Sequence, residues 1–147
     1  MDIKQIARGH IKDLYVMQLA TSCDNQPWAC TVTFFADDDL NLYWMSVPDC
    51  RHSEEIAGNP RVAAAFAVHT DMPLIGVQIE GDAEQLELAG HEELLNTYAE
   101  RHNRQKVVES ALSGKVNLKL YRLTPRLVQV FDLKNFPEAP KQEWRAS

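Results

Sequence analysis

The chain has 147 residues, of which 45% are hydrophobic and 24% charged, and its formal net charge is −6. A chain of this length is expected to form a single domain that spans residues 1–147. Its core would be large enough for the chain to fold without disulfides or a structural metal. The acidic balance argues against a nucleic-acid partner, because displacing counterions from nucleic-acid phosphates requires a basic surface.

The cysteines and the apolar segments indicate the compartment. Cys23, Cys30 and Cys50 are odd in number and form no C-x-x-C motif. This pattern is typical of reduced thiols in a cytoplasmic protein, and it favours neither a disulfide framework nor a zinc site. The N-terminus shows an amphipathic pattern instead of a signal peptide, and no segment approaches the roughly 20 apolar residues that cross a bilayer. We therefore expect a cytoplasmic protein with no membrane contact.

The N-terminal third is predicted as a helix followed by a meander. Apolar residues at helical spacing predict an amphipathic helix over residues 2–13, with Asp2 as its N-cap. Residues 15–22 alternate as a strand does, and residues 28–36 are rich in β-branched and aromatic residues. Turn signals at residues 24–27 and 37–39 separate these strands and a third one. The predicted strands are 15–22, 28–36 and 40–47.

The rest of the chain adds helices and longer strands. Residues 52–57 are predicted as a short helix with Ser53 as a possible cap, and residues 90–114 as a long helix. Further strands are predicted at 61–69, 74–88 and 115–131, with a bulge or bend at Gly81. Residues 134–147 read as a tail rich in proline and charge. Six strands with helices at the periphery predict a mainly β (α+β) fold, an antiparallel barrel.

Motifs for nucleophilic or metal catalysis are missing from the sequence. It contains no G-x-S-x-G, H-E-x-x-H, P-loop or G-x-G-x-x-G motif, and its histidines show no metal-ligand spacing. The adjacent acids Glu54-Glu55 and Glu92-Glu93 point about 100° apart on a helix, which argues against a shared acid–base role. We therefore predict no metal site and assign no catalytic residue.

The segment 46–62 carries the strongest chemical pattern. Its first strand ends at Ser46, a tight loop follows, and Arg51 and His52 open the short helix. A helix N-terminus presents free N–H groups and a positive dipole end, and Arg51 can donate to two phosphate oxygens. His52 can donate as imidazolium, and a bound phosphate would raise its pKa. The pattern indicates anion binding; the alternative is a surface arginine beside a capping serine.

This segment resembles the signature of the pyridoxamine 5′-phosphate oxidase-like FMN-binding split-barrel family. In that family a strand ends in Ser or Thr, an Arg-Lys or Arg-His pair opens a short helix, and Asn-Pro-x-Val starts the next strand. The matching positions here are Ser46, Arg51, His52, Ile56, Asn59, Pro60 and Val62. Residues 76–83 also resemble the V-x-x-x-G-x-A segment of the family. The resemblance covers residues 2–133 and implies a six-stranded antiparallel split β-barrel with peripheral helices.

The resemblance also implies a set of cofactor-binding residues. Arg51 and His52 would bind the FMN phosphate, and Met45 and Ser46 would contact the flavin ring or the ribityl chain. The residues expected along the isoalloxazine ring are Thr31, Val32 and Thr33. Gln78 would reach the flavin from the partner subunit. The alternative for the strand positions is ordinary packing, and Gln78 is equally compatible with a solvent-facing position.

The function implied by the resemblance is that of an FMN-dependent oxidoreductase. The family forms homodimers with FMN at the interface, and the partner of the reaction would be a small-molecule substrate or electron donor. The substrate signature at the C-terminus of the oxidase itself is not visible in residues 134–147. This difference argues against pyridoxine-phosphate oxidation.

Two alternatives use the same fold. A non-catalytic store or sensor would hold FMN or haem, with His10, His69 or His102 as the axial haem ligand. A deazaflavin binder would use the same groove with a wider, more basic phosphate end. For the tryptophans, packing is the favoured interpretation at Trp28 and Trp44. Trp144, in the tail, is expected to pack on the partner subunit or to close the flavin pocket.

Overall fold

The computed structural model describes all residues, 1–147, as one sheet of eight strands with four helices. The helices are α1 (Ile3–Ile11), α2 (Arg51–Gly58), α3 (Glu92–His102) and α4 (Gln105–Leu112). The strands are β1 (Val16–Cys23), β2 (Gln26–Thr33), β3 (Phe35–Ala36), β4 (Leu42–Ser46), β5 (Arg61–His69), β6 (Ile75–Leu86), β7 (Lys119–Asp132) and β8 (Lys141–Arg145). None of the helices combines the length and the apolar character that crossing a bilayer requires.

The sheet is antiparallel throughout and runs in the order β2-β1-β5-β6-β7-β4-β3, with β8 paired to β7. β2 and β4 approach one another without forming a hydrogen-bonded ladder, so the sheet curls into a barrel that stays open between them. The predicted antiparallel split barrel is confirmed, but its strand count of six is wrong. The predicted strand 28–36 divides into β2 and β3, and the tail contributes β8.

Two apolar clusters fill the molecule. The larger lies inside the barrel, where Trp44 is fully buried and stacks on Tyr121 with ring centroids 5.7 Å apart. This contact confirms the packing interpretation for Trp44. The smaller cluster lies beneath α3 and α4 and includes Met45, Leu95 and Tyr98. Each cluster buries one face of a strand or helix, as the alternating pattern of these segments predicts.

The predicted helix 90–114 is two helices. Asn103 ends α3 in a left-handed conformation with φ 53°, and α4 begins after Arg104. A left-handed residue cannot continue a right-handed helix, and asparagine tolerates this conformation better than most residues. The break places Arg101 and Arg104 at one corner of the molecule.

The predicted tail also contains structure. β8 pairs with β7 in a register that sets Trp144 against Val128. Trp144 packs on the barrel core, and the Lys4 ammonium lies 4.5 Å from its ring centroid. Within the protomer, Trp144 therefore holds β8 and α1 together.

The bend predicted at Gly81 is confirmed. The pairing of β6 with β7 shifts register between Glu80 and Gly81. A Cβ atom at this position would clash with the carbonyl oxygen of Thr124. Only glycine allows the two backbones to approach so closely, which is the physical reason for a glycine at this bulge.

Candidate functional site

The end of β4 and the start of α2 form one cluster of polar side chains. Ser46, the last residue of β4, places its Oγ 2.8 Å from Nε2 of His52 in the first turn of α2. The N-cap residue is Cys50, and no side chain caps the helix. The predicted cap at Ser53 is wrong, because Ser53 lies inside the first turn, 3% exposed, and accepts a hydrogen bond from Cys50 Sγ. The first N–H groups of α2 therefore have no side-chain acceptor.

His52 is half-buried in this cluster, and burial lowers its pKa. Its Nε2 also lies 3.4 Å from the Cys50 Sγ. No carboxylate contacts the ring to offset its loss of solvation. The imidazole is consequently neutral near pH 7, whereas the sequence pattern predicts an imidazolium donor.

Arg51 is held on two sides. Its Nε donates to Glu55 Oε2 at 3.0 Å, and its Cζ lies 3.9 Å from the centroid of the Trp28 ring. The Nη1 and Nη2 groups donate to no protein acceptor, and the side chain is 47% exposed. Trp28 therefore stacks on a cation instead of packing in the core, and Arg51 presents two free donors to solvent.

Glu55 completes this arrangement. Its Oε1 accepts a hydrogen bond of 2.6 Å from Thr21 Oγ1, and its side chain is 10% exposed. The hydrogen bonds from Thr21 and then from Arg51 lower the pKa of the carboxyl group, so it remains ionised. The Arg51–Glu55 pair thus carries no net charge.

The predicted ring-binding residues lie on or beside the open edge of the barrel. β2 pairs only with β1, so half of its peptide groups face the gap toward β4. The Thr31 hydroxyl donates to Gln18 at 2.9 Å, and the Thr33 hydroxyl lies 3.0 Å from the Tyr98 hydroxyl. The other two predicted positions, Val32 and Met45, have buried side chains that pack in the two apolar clusters.

Gln78 lies apart from this cluster within the protomer. It lies on the outer face of the sheet, in a row of cross-strand neighbours that runs from β2 to β6. The row contains Thr31, Gln18, Ala65 and Gln78 in that order. Three strand spacings separate it from Thr31, which is about 14 Å. Gln78 lines the largest depression of the surface, about 510 Å³, whose lining does not include Arg51 or His52. One protomer therefore does not bring Gln78 to the α2 cluster.

A second cationic corner is missed by the sequence reasoning. Arg104 Nη1 donates to the Tyr98 hydroxyl at 2.8 Å and lies 3.4 Å from Thr33 Oγ1. Arg101 donates to the Leu14 carbonyl at 2.8 Å. Every other arginine of the chain pairs with a carboxylate, and these two do not. The available signal was Asn103, whose tolerance of the left-handed conformation marks a possible helix end.

The three histidines considered as haem ligands differ in their contacts. His10 Nε2 lies 2.9 Å from the buried carboxylate of Asp132, and His102 Nε2 lies 2.9 Å from the Phe34 carbonyl oxygen. His69 is exposed, and its Nδ1 lies 2.8 Å from two loop carbonyl oxygens. Only His69 therefore keeps Nε2 without a hydrogen-bond partner.

The split sheet and the Ser46–His52 contact at the start of α2 define a protein of the split-barrel class. Comparison with known families agrees: residues 3–132 match the family model of pyridoxamine 5′-phosphate oxidase. The chain belongs to this family. No curated protein sequence matches it.

Several solved structures share the fold at low sequence identity. An FAD-binding protein from Mesorhizobium loti is 21% identical, covers 84% of this chain and 88% of its own, and has a TM-score of 0.68. A putative pyridoxamine 5′-phosphate oxidase from Listeria innocua is 17% identical, with coverages of 88% and 98% and a TM-score of 0.66. HutZ, a haem storage protein from Vibrio cholerae, is 17% identical, with coverages of 85% and 91% and a TM-score of 0.65. At these identities the likeness establishes the fold alone.

Proposed function

We propose that this protein is an FMN-binding flavoprotein that acts as an oxidoreductase on a small molecule. The observation that carries the proposal is Arg51, which opens the uncapped helix α2 with both Nη groups free. An uncapped N-terminus leaves N–H donors unsatisfied, and the Nη groups of Arg51 add donors that have no protein acceptor. A bound phosphate would accept hydrogen bonds from both, with His52 as an additional donor.

The open edge of the barrel suits the flavin ring. The peptide groups that face the gap along β2 residues 31–33 can hydrogen-bond the polar edge of the ring. Met45 and Ser46 would contact the ring or the ribityl chain from β4. When bound, FMN would supply the chemistry of hydride or electron transfer. The chain itself would bind and orient the cofactor, and Ser46 would keep the His52 ring in place.

A homodimer would complete the site. The outer face of β5 and β6 carries small side chains at Ala63, Ala65, Ala67 and Gly76, beside Val16, which is 48% exposed. A second copy seated on this face would cover apolar surface. In the proposed dimer, Gln78 of one subunit would reach the flavin bound by the other, as the resemblance implies.

The second ligand would carry a negative charge. Arg104 lies beside Thr33, at the end of β2 farthest from the residues that contact α2, and no carboxylate neutralises it. A nicotinamide nucleotide or another phosphorylated or carboxylated donor would therefore be attracted to the ring end of the site. Charge complementarity at this corner supports an anionic substrate or electron donor.

The compartment proposed is the cytoplasm. All three cysteines are free, and Cys23 is exposed. Exposed thiols persist in reducing compartments, and oxidising compartments favour their pairing.

Haem storage is a second candidate function. HutZ shares the fold, and among His10, His69 and His102 only His69 keeps its Nε2 available for an axial bond. His69 also lines the depression on the outer face of the sheet. Haem bound there would be held by a different part of the protein from the one proposed for FMN.

An absorption titration of the purified protein tests these functions. We expect FMN to bind with a shifted flavin spectrum that NADH or NADPH bleaches under anaerobic conditions. Flavin bands that persist with both donors would contradict the oxidoreductase and leave a flavin-binding protein. A Soret band after adding haem, lost in the variant His69→Ala, would favour the storage function. A protein that ignores FMN would refute the main proposal.

A further inference from the structure

Thr21 forms a hydrogen bond that links the wall of the barrel to helix α2. It lies on β1, is 3% exposed, and donates its hydroxyl to Glu55 of α2 at 2.6 Å. A buried hydroxyl needs a hydrogen-bond partner, and a charged acceptor is the stronger kind. The contact joins the barrel wall to the helix that carries the proposed phosphate site.

Glu55, held by Thr21, in turn fixes the position of the Arg51 guanidinium group. One carboxylate oxygen accepts from Thr21 and the other from Arg51 Nε at 3.0 Å. The Trp28 ring covers one face of the guanidinium group. An arginine side chain has many rotamers, and ordering it before a ligand arrives removes part of the entropic cost of binding.

Helix stability alone does not account for the Arg51–Glu55 pair. The arginine precedes the glutamate at i,i+4, which is the less favourable orientation because it sets the cation nearer the positive end of the dipole. With the Arg51 side chain 47% exposed, such a pair contributes little to stability. A fixed orientation of the guanidinium group is the property that the pair and the Trp28 ring together provide.

We infer that Thr21 and Glu55 are positioning residues that orient Arg51, so that its Nη1 and Nη2 groups face the phosphate of the cofactor. The inference rests on the proposed FMN function for its consequence, but the ordering of Arg51 exists without a ligand. Glu55 itself is a poor test position, since removing its charge would also strengthen the attraction between Arg51 and phosphate. Thr21 is neutral and separates orientation from charge.

The experiment compares Thr21→Val, which keeps the shape and removes the hydroxyl, with Thr21→Ser, which keeps the hydroxyl. Side-chain NMR relaxation of the Arg51 Nε–H group measures its ordering in the ligand-free protein. Titration with FMN and with riboflavin, which lacks the phosphate, measures the consequence. Melting temperatures of the three proteins show whether each variant folds.

We expect the Arg51 Nε–H group to be ordered in the wild type and in Thr21→Ser, and mobile in Thr21→Val. We also expect Thr21→Val to raise the Kd for FMN about three- to tenfold, since it weakens a charge-assisted hydrogen bond indirectly, with the Kd for riboflavin unchanged. An Arg51 that stays ordered in Thr21→Val would overturn the inference. An equal loss of affinity for FMN and for riboflavin in Thr21→Val would also overturn it. So would a Thr21→Ser variant that does not keep the wild-type affinity for FMN.

The proposed function can fail separately. A wild type that binds neither flavin, or binds both equally well, would remove the phosphate site while the relaxation data still decide whether Thr21 orders Arg51.

Discussion

The two arginine-bearing regions at either end of β2 are built on opposite principles. At the start of α2, Arg51 is oriented by Glu55 and Trp28, and its charge is neutralised. At the corner between α3 and α4, Arg101 and Arg104 donate to uncharged oxygens, and Arg101 also lies 4.4 Å from the centroid of the Tyr15 ring. Neither pairs with a carboxylate, so both keep their charge. The first region is suited to recognise an anion by the direction of its hydrogen bonds, and the second by long-range attraction.

This difference predicts different responses to salt. Interactions between exposed charges weaken with ionic strength, whereas directed hydrogen bonds at short range are less affected. Binding at α2 should therefore depend weakly on salt, and binding at the α3–α4 corner strongly. Substitutions of Arg51 and of Arg104 test the two regions separately.

The largest effect is expected from Arg51→Ala. Loss of a charge-assisted hydrogen-bond donor should weaken FMN binding by roughly 1.5–3 kcal/mol. Riboflavin affinity should change little, because riboflavin lacks the phosphate. Isothermal titration with both flavins measures the two affinities.

The matched control for Arg51→Ala is Arg61→Ala, because Arg61 is also exposed and also paired with a carboxylate, that of Asp82. It should leave FMN affinity unchanged. Equal affinities of wild type and Arg51→Ala for FMN would mean that the phosphate does not bind at α2.

Arg104→Gln should have the next largest effect, on the second ligand. Removing an uncompensated cation should raise the KM for an anionic donor by about fivefold at low salt, which corresponds to about 1 kcal/mol. The difference from wild type should shrink as ionic strength rises. Steady-state rates with NADPH across a salt series measure it.

Arg145→Gln serves as the control for Arg104→Gln, since Arg145 is exposed on β8 and pairs with Glu143. A salt dependence identical in wild type and Arg104→Gln would contradict the view that the α3–α4 corner acts through charge.

Asn103 ends α3 at the α3–α4 corner, and replacing it should have a smaller effect than Arg104→Gln, this time on stability. Asn103→Ala places an alanine at φ 53° and should lower the free energy of unfolding by about 1 kcal/mol. Asn103→Gly should be close to wild type, because glycine adopts this conformation without steric cost. Urea denaturation of the three proteins measures the differences, and equal losses in both variants would argue against conformational strain as the cause.

The sequence predicts much of the fold because period-two alternation marks the strands with one buried face. β1, β5 and β6 show that alternation in their burial and are predicted within two residues of their observed bounds. β7 alternates less regularly, and its predicted start at residue 115 lies four residues before Lys119. β8 was missed because its segment carries prolines and charges, and its partner lies in β7. The break at Asn103 was missed because apolar residues continue at helical spacing on both sides of it.

The candidate site is predicted less completely, for a physical reason. Ser46 and His52 lie six residues apart in one motif, so the sequence assigns both to one site, although their mutual hydrogen bond is seen only in the structure. The Thr21–Glu55 hydrogen bond spans 34 residues, and the Thr33–Tyr98 contact spans 65. Long-range contacts depend on strand order and register, which a single sequence does not determine.

The smallest expected effect is the pH dependence of stability that His52 contributes at the start of α2. Burial lowers the pKa of His52, so the unfolded chain binds more protons than the folded one once the pH falls below the ordinary histidine value of about 6.5. The contribution of the neutral ring to stability is therefore present above this value and is lost as the pH falls toward and below it. His102, whose pKa burial also lowers, contributes with the same sign.

Substituting His52 isolates its share of this pH dependence. The difference in melting temperature between wild type and His52→Gln should fall as the pH drops from 7 to 5, while His102 contributes equally to both proteins. A bound phosphate would favour the imidazolium form of His52, so the protein should take up a proton at His52 when FMN binds. FMN should therefore raise the melting temperature more at pH 6 than at pH 8. A shift independent of pH in wild type would mean that His52 does not face the phosphate, and the α2 end would then rely on Arg51 and the helix N–H groups alone.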